Sequence, residues 1–341
     1  MSKLFILGAG FSSAFFLRMP TMTALGMHIL TEIPHLLPQH SNRHTLYRNL
    51  ITKPGGIENL LSYLSQAIPW KESPERHMDT AALIKMLPSI AEYIMQCEEE
   101  AFAASSRGAW ATEFVKYLHE NKSPVATFNY DTVLERLLNC ANGSATHTGD
   151  LYYKTPVIDL TLRTAGGGYI AQPGETFTLL KLHGSINWYF AGTENVSSQT
   201  VYYIPVEKMS PKGDYEGDSI LERGKIGLTP LIIPPVTEKT AFYNIDLIKV
   251  LWTQLREELR KSVDEVYCVG YSLPKTDVTT SLFFSTEIDR RNRKVYIVNT
   301  DPRVRNNYTD LLNESEVEEK YMHELSSNGS PIEKMVRDLV G

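Results

Sequence analysis

Apolar runs rich in β-branched and aromatic residues recur along this chain, and segments with helical spacing of apolar residues separate most of them. The runs are KLFILG (Lys3–Gly8), PVATFN (Pro124–Asn129), FTLLKLHG (Phe177–Gly184), PLIIPP (Pro230–Pro235), EVYCVGYS (Glu265–Ser272) and KVYIVNT (Lys294–Thr300). Each predicts a buried strand. GIENLLSYLSQAI, AALIKMLPSIAEYIMQCEEEAF, TEFVKYLHEN and IKVLWTQLREELRKSV carry the helical period. Strands alternating with helices predict an α/β fold: a mostly parallel sheet with helices on both faces.

Two regions break that rhythm. Residues 19–121 are mostly helical and too long for one crossover, so they read as a helical insertion. Residues 142–230 are rich in Gly, Thr, Ser and Tyr and read as loops with short antiparallel strands near the sheet's edge. The expected organisation is a single domain over 1–341 holding both elaborations, closed by a helical tail over 303–341. In PIEKMVRDLVG, Ile332, Met335, Val336 and Leu339 fall at helical spacing, which suits packing on the body or, alternatively, a partner.

Composition narrows the class. At 341 residues and 42% hydrophobic content the chain can bury a sizeable core. It lacks the run of about eighteen apolar residues that a membrane span needs, and its opening apolar stretch is too short for a secretion signal. Cys97, Cys140 and Cys268 are widely separated. They form no CxxC pair, so neither a disulfide framework nor a cysteine zinc site is expected, and a reducing cytoplasm fits. The formal charge of −6 argues against direct nucleic-acid binding. The basic stretch DRRNRK (Asp289–Lys294) reads as a solvated helix end, and CEEEAF (Cys97–Phe102) as a solvated helix surface.

Candidate chemistry gathers at strand ends. The first strand runs into Gly8-Ala9-Gly10, which is either a diphosphate cradle or a tight structural turn. The dinucleotide fingerprint wants a third glycine where Ser13 stands, and no second-strand acid follows. The run ending at Phe128 presents Asn129 and Asp131. The run TLLKLHGSINW presents His183, Gly184, Ser185 and Asn187, and VYCVGYSLPKTD presents Gly270, Ser272 and Asp277. In a parallel sheet these tips share one edge, where α/β proteins bind ligands. Each also has a structural reading: Asn129, Asp131 or Thr132 can cap the helix TVLERLL, His183 can be a hydrogen-bonded histidine under a loop, and Gly270–Ser272 a simple turn.

His183 is a general base suited to neutral pH, and Asn129 can hold a water or a ribose hydroxyl without adding charge. Neither is a strong nucleophile. That pairing suits displacement at a sugar carbon that becomes cationic as its leaving group departs, as in cleavage of the nicotinamide–ribose bond.

GAGFS, TFNYD, LHGSINW, LIIPP followed by Lys239, and GYSLPKTD followed by VYIVNTDP occur in this order over Leu4–Pro302. Together they resemble the sirtuin-like NAD-consuming domains of bacterial antiphage defence. The resemblance implies a Rossmann-like sheet with a helical insertion, and hydrolysis of NAD+ to nicotinamide and ADP-ribose. The family's catalytic pair falls on Asn129 and His183. Its diphosphate loop falls on Gly8, Ala9, Gly10, Phe11 and Ser12, and Gly184 and Ser185 are further cofactor-binding candidates. Ribose and adenine contacts fall around Asp131, Gly270, Ser272, Asp277 and Asn299. NAD+ would be substrate, with no metal. Self-association and a defence partner, such as a helicase-like ATPase or an Argonaute-type protein, are expected on the same ground. The chain lacks the four-cysteine zinc module of protein-deacylating sirtuins and their loop after GAG. Here AFFLRMPTM stands instead, with Pro20 a candidate anchor.

The alternatives are a non-catalytic NAD or ADP-ribose sensor and a dehydrogenase, the latter disfavoured by the absent third glycine. HLLPQHSNRH clusters His35, His40 and His44 but reads as a loop rather than a metal site, and GYSLP lacks the second glycine of a serine-hydrolase elbow.

Overall fold

The structure is a computed structural model. It describes residues 2–66, 68–104, 109–141, 152–160, 176–190, 200–206, 209, 228–236, 239–275, 277–289, 293–313, 316–323 and 329–341. In chain order the described strands are β1 (Ser2–Leu7), β2 (Val125–Thr127), β3 (Val157–Asp159), β4 (Leu179–Lys181), β5 (Gly184–Phe190), β6 (Val201–Tyr203), β7 (Thr229–Ile232), β8 (Val263–Val269), β9 (Lys294–Asn299) and β10 (Val317–Met322). The α-helices are α1 (Ala9–Phe15), α2 (Met22–Leu36), α3 (His44–Thr52), α4 (Gly56–Ser65), α5 (Ser73–Ala103), α6 (Ala109–Asn121), α7 (Val133–Ala141), α8 (Thr240–Tyr243), α9 (Asp246–Ser262), α10 (Val278–Phe283), α11 (Val304–Thr309) and α12 (Pro331–Val340).

Six strands form the main sheet in the order β10-β9-β8-β1-β2-β4, all paired in parallel. The chain builds outward from β1 through β2 to β4, then crosses to β8 on the other side of β1 and continues outward. This is the Rossmann strand order, and its switch point lies between β1 and β8. Leu4, Phe5, Ile6 and Leu7 are all at most 1% exposed. Consecutive strand residues face opposite ways, so helices must cover both faces. On one of them Phe5 meets Phe114 and Tyr117 of α6 edge-on.

A second sheet, β3-β6-β5-β7, supplies the short strands anticipated in 142–230, with β5 antiparallel to both neighbours. Much of that stretch lies outside the described residues. PLIIPP enters this sheet as β7 rather than the parallel one, because β5 turns back along it immediately after β4.

The helical insertion has a narrower extent than its periodicity suggested. Helices α2 to α4 and the first two thirds of α5 build a second core with Ile186, Tyr189 and Ile232 of the second sheet. Helix α6 instead joins the first core through Phe114, Val115 and Leu118. Helix α5 spans both: Ala82 to Ile94 pack in the second core, Cys97 and Ala101 in the first.

The tail is not wholly helical. Between α11 and α12 the chain adds edge strand β10, whose Glu319 and Lys320 stay exposed while Tyr321 is buried. Charges on an edge strand blunt further pairing, and they also hide its period from a sequence reading. Helix α12 packs on α6 and β9, burying Ile332, Met335 and Val336 behind a Ser330–Glu333 capping box.

DRRNRK is not a plain solvated end. Arg293 is buried and donates to the carbonyls of Val263, Glu287, Ile288 and Leu259, the last at 2.6 Å. Those carbonyls sit where helices end and lack internal partners, which a guanidinium fork can supply. His40 of HLLPQHSNRH is buried in a 3-10 turn, and His44 opens α3. Among the described residues, no group of His, Cys, Asp and Glu could hold a metal, and no helix is long and apolar enough to cross a membrane.

Candidate active site

A cleft of about 210 Å³ opens over the carboxyl ends of β1, β2, β4 and β8. Of the residues singled out from the sequence, Gly8, Ala9, Ser12, Asn129, Asp131, His183, Gly270, Ser272 and Asp277 line it. Gly10, Phe11, Gly184, Ser185 and Asn299 do not.

Gly10 and Gly270 explain how β1 and β8 meet. A Cβ on Gly10 would lie 2.7 Å from the Cα of Gly270, and one on Gly270, at φ +62, would lie 2.3 Å from the Phe11 nitrogen. The Gly10 N–H donates to the Gly270 carbonyl at 2.9 Å. This glycine pair is therefore a backbone-to-backbone contact, and only Gly8, Ala9 and Ser12 of the opening loop face the cleft. Phe11 points into the core against Trp110 and Phe114. Asn299 caps its own turn by accepting from the Asp301 N–H.

Asn129 follows β2 and is held on several sides. Its backbone N–H donates to the Thr127 hydroxyl at 3.1 Å. Its side-chain Nδ2 donates to the Gly8 carbonyl at 2.9 Å and to Ser12 Oγ at 3.1 Å, and Ser12 in turn donates to Asp131 Oδ2 at 2.6 Å. Both amide hydrogens are thus committed, and the side-chain oxygen is the group left to accept from a ligand. Burial raises the Asp131 carboxyl, opposed by Lys181 and by the Ser12 bond.

His183 sits where the chain leaves β4 and enters the second sheet. Gly184 makes that reversal at φ +79, where an added Cβ would fall 2.0 Å from the Leu231 carbonyl oxygen. The His183 carbonyl accepts from Ile233 at 2.9 Å, and Phe128 packs against the ring edge-on at 5.0 Å. Its Nε2 is buried and has no hydrogen-bond partner. Burial pushes the imidazole down to about 3; Lys239 pushes the same way and Asp277 opposes. The ring is therefore neutral at physiological pH. Ser185 is spent structurally, donating to Asn187 Oδ1 at 2.6 Å.

Lys239 and Asp277 pair at 2.9 Å on the cleft wall. Burial raises the Asp277 carboxyl, but Lys239 and then His183 outweigh it and hold the group below its ordinary value. Asp277 also caps α10 by accepting from Thr280. Glu58 of α4 lines the cleft beside them, its carboxyl raised by burial. It was missed from sequence, where it is one polar position of an amphipathic helix. Met19 and Pro20 line the cleft, and Met22, Leu25 and Ile94 of the helical insertion complete the wall.

The acid run CEEEAF is not simply solvated. Glu98 is fully buried and accepts from both the backbone N–H and the hydroxyl of Thr132, the latter at 2.7 Å. Glu99 pairs with Arg136. Burial raises the Glu98 carboxyl to about 7, against Arg136 and with Asp131. The sequence signal lay in Thr132-Val-Leu-Glu135, which has capping-box spacing at the start of α7. In the structure Glu135 is drawn away to Lys181 at 2.9 Å and Tyr153 at 2.8 Å, and Glu98 takes the cap from another helix.

With the geometry in hand, the chain was compared with known proteins: no protein-family model matches it, and no curated protein matches it.

Proposed function

We propose that the chain is an NAD+ glycohydrolase that cleaves the nicotinamide–ribose bond, and that it acts as a defence effector by depleting NAD+. The observation that carries the reading is the pairing, in one cleft at the Rossmann switch point, of an amide oxygen left free on Asn129 with an unpartnered, neutral His183 nitrogen. Gly8 and Ala9 offer backbone beside them for the diphosphate.

In this reading Asn129 orients a water towards the anomeric carbon. The C–N bond breaks, and nicotinamide leaves as a neutral pyridine with the bonding pair. The water oxygen bonds to the anomeric carbon, and its proton passes to His183 and then to solvent. A weakly basic imidazole suffices, because a water that has added to an oxocarbenium carbon is itself a strong acid. The apolar wall of Met19, Pro20, Phe128 and Val236 limits competing water.

Incubation of the purified chain with NAD+ should release nicotinamide. His183→Ala and Asn129→Ala should lower turnover by about 10²–10⁴-fold while the fold persists by circular dichroism. Intact NAD+ after incubation with the chain, alone and with extract of infected cells, would defeat the reading. A second reading, a non-catalytic NAD or ADP-ribose sensor, draws on the wall contributed by Met22, Leu25, Glu58 and Ile94, through which a ligand would touch both cores. It predicts thermal stabilisation by ADP-ribose without turnover.

A further inference from the structure

Glu98 lies on a helix that contributes buried residues to both cores. Helix α5 enters the second core with Ala82 to Ile94, then delivers Cys97 and Ala101 to the first. Between these, the carboxylate of Glu98 reaches the turn that carries Asn129.

That turn is anchored from several directions. Tyr130 donates its hydroxyl to the Ile233 carbonyl at 2.6 Å, and its own carbonyl accepts from Ile186 at 2.9 Å. Asp131 accepts from the Val133 N–H at 3.3 Å. The N–H and hydroxyl of Thr132 both go to Glu98, and the hydroxyl also lies 4.0 Å from Met209 Sδ. Thr132 is itself fully buried, so water cannot replace the carboxylate, and a lost partner would leave two donors unsatisfied. The next residues of α5 continue the attachment: Glu99 pairs with Arg136 on α7, and Glu100 lies 3.8 Å from Arg18, beside the Met19–Pro20 wall. The Arg18 pair is exposed and contributes little.

We propose that Glu98 is a positioning residue for the reaction: as a cap supplied from α5 to the start of α7, it fixes the Asn129 turn and joins the helical lobe to the catalytic amide as one mechanical unit. The catalytic half of this proposal rests on the NAD+ hydrolase reading; the mechanical half does not.

Two measurements on the full-length chain separate them. The first is amide hydrogen exchange without nucleotide, comparing wild type, Glu98→Ala, Glu98→Gln and Glu99→Gln. Glu98→Ala should speed exchange over residues 129–133 by about tenfold, the equivalent of one lost net hydrogen bond, while β1 and β8 keep their protection. Glu98→Gln retains an acceptor for the Thr132 N–H and should recover most of that protection, and Glu99→Gln should leave the turn unchanged. The second is steady-state NAD+ turnover, where Glu98→Ala should lower kcat by about a hundredfold with KM within about threefold, and Glu98→Gln should rescue it in large part. Should Glu98→Ala not fold, Thr132→Val removes the hydroxyl donor without a change of shape and should produce the same pattern at smaller amplitude. Unchanged exchange in the turn, or a rise spread evenly over the sheet, overturns the mechanical claim. A localised rise with unaltered kcat overturns the positioning role. If wild type itself releases no nicotinamide, the hydrolase reading fails and the exchange data alone decide the mechanical claim.

Discussion

The molecule buries charge in two places and treats them differently. In the helical lobe Asp79 is ringed by cations and phenols: Arg43 at 2.7 Å, Lys71 at 2.9 Å and the Tyr47 hydroxyl at 3.1 Å. Arg43 also donates to the Tyr63 hydroxyl at 2.9 Å, and the Lys71 ammonium sits 3.7 Å from the Tyr63 ring centroid. In the cleft, by contrast, the His183 Nε2 faces no partner, and the Asp131 carboxyl is raised by burial. A saturated cluster pins α3, α4 and α5 together. In the cleft one group, the His183 Nε2, is held short of a partner, a cost that a bound ligand would relieve. The comparison teaches that burial alone does not leave a group short of partners: Asp79 is fully buried among cations, while the buried His183 Nε2 has no partner.

Removing charge from each cluster sharpens that contrast. The largest effect belongs to the saturated cluster. Asp79→Ala leaves Arg43 and Lys71 buried without their anion and should destabilise the fold by about 3–5 kcal/mol in chemical denaturation. Wild-type stability in Asp79→Ala would show that the helical lobe does not depend on its ion pairs.

The next effect is a pH dependence that belongs to the cleft. The His183 imidazole is held near 3 in the folded chain and titrates near 6.5 when unfolded. As pH falls below 6.5 the unfolded chain takes up a proton that the folded chain refuses. The stability tied to this group is therefore complete above 6.5 and drains as pH falls towards 3, by up to about 1.4 kcal/mol per pH unit. His183→Leu should flatten that part of the stability–pH curve. Parallel curves for the variant and wild type between pH 6.5 and the onset of acid unfolding would contradict the orphaned, neutral imidazole.

The smallest effect tests the chain from Asn129 through Ser12 to Asp131. Ser12→Ala removes one acceptor and one donor and should cost about 1 kcal/mol in thermal unfolding. It should also lower nicotinamide release, because the Asn129 amide loses one of its anchors. A loss of stability with unchanged turnover would separate the scaffold from the chemistry.

Legibility from sequence followed the range of the interactions involved. The parallel sheet and its strand ends were readable, because strand-forming runs and their terminating Asn129, His183 and Gly270 are local patterns. Asn129, His183 and Gly270 line one cleft at the carboxyl ends of the parallel strands. Gly10 and Phe11 lie off the cleft wall for a local reason: a GxG turn looks the same in sequence whether its glycines admit a diphosphate or, as Gly10 does, another glycine. Glu98 read wrongly for a distant reason, since its partner Thr132 lies 34 residues along the chain. Glu58 and the Lys239–Asp277 pair were equally out of reach.

By itself, then, the order of residues determined the α/β class, the strand tips that carry polar residues and the amphipathic spacing of the C-terminal helix, because each follows from spacing within a few turns or one strand. Only the tertiary structure decided which acids lose their water, which glycines touch each other and which helix joins the two cores. Those outcomes depend on contacts between segments far apart in the chain, and on a competition for buried partners that no single segment can settle.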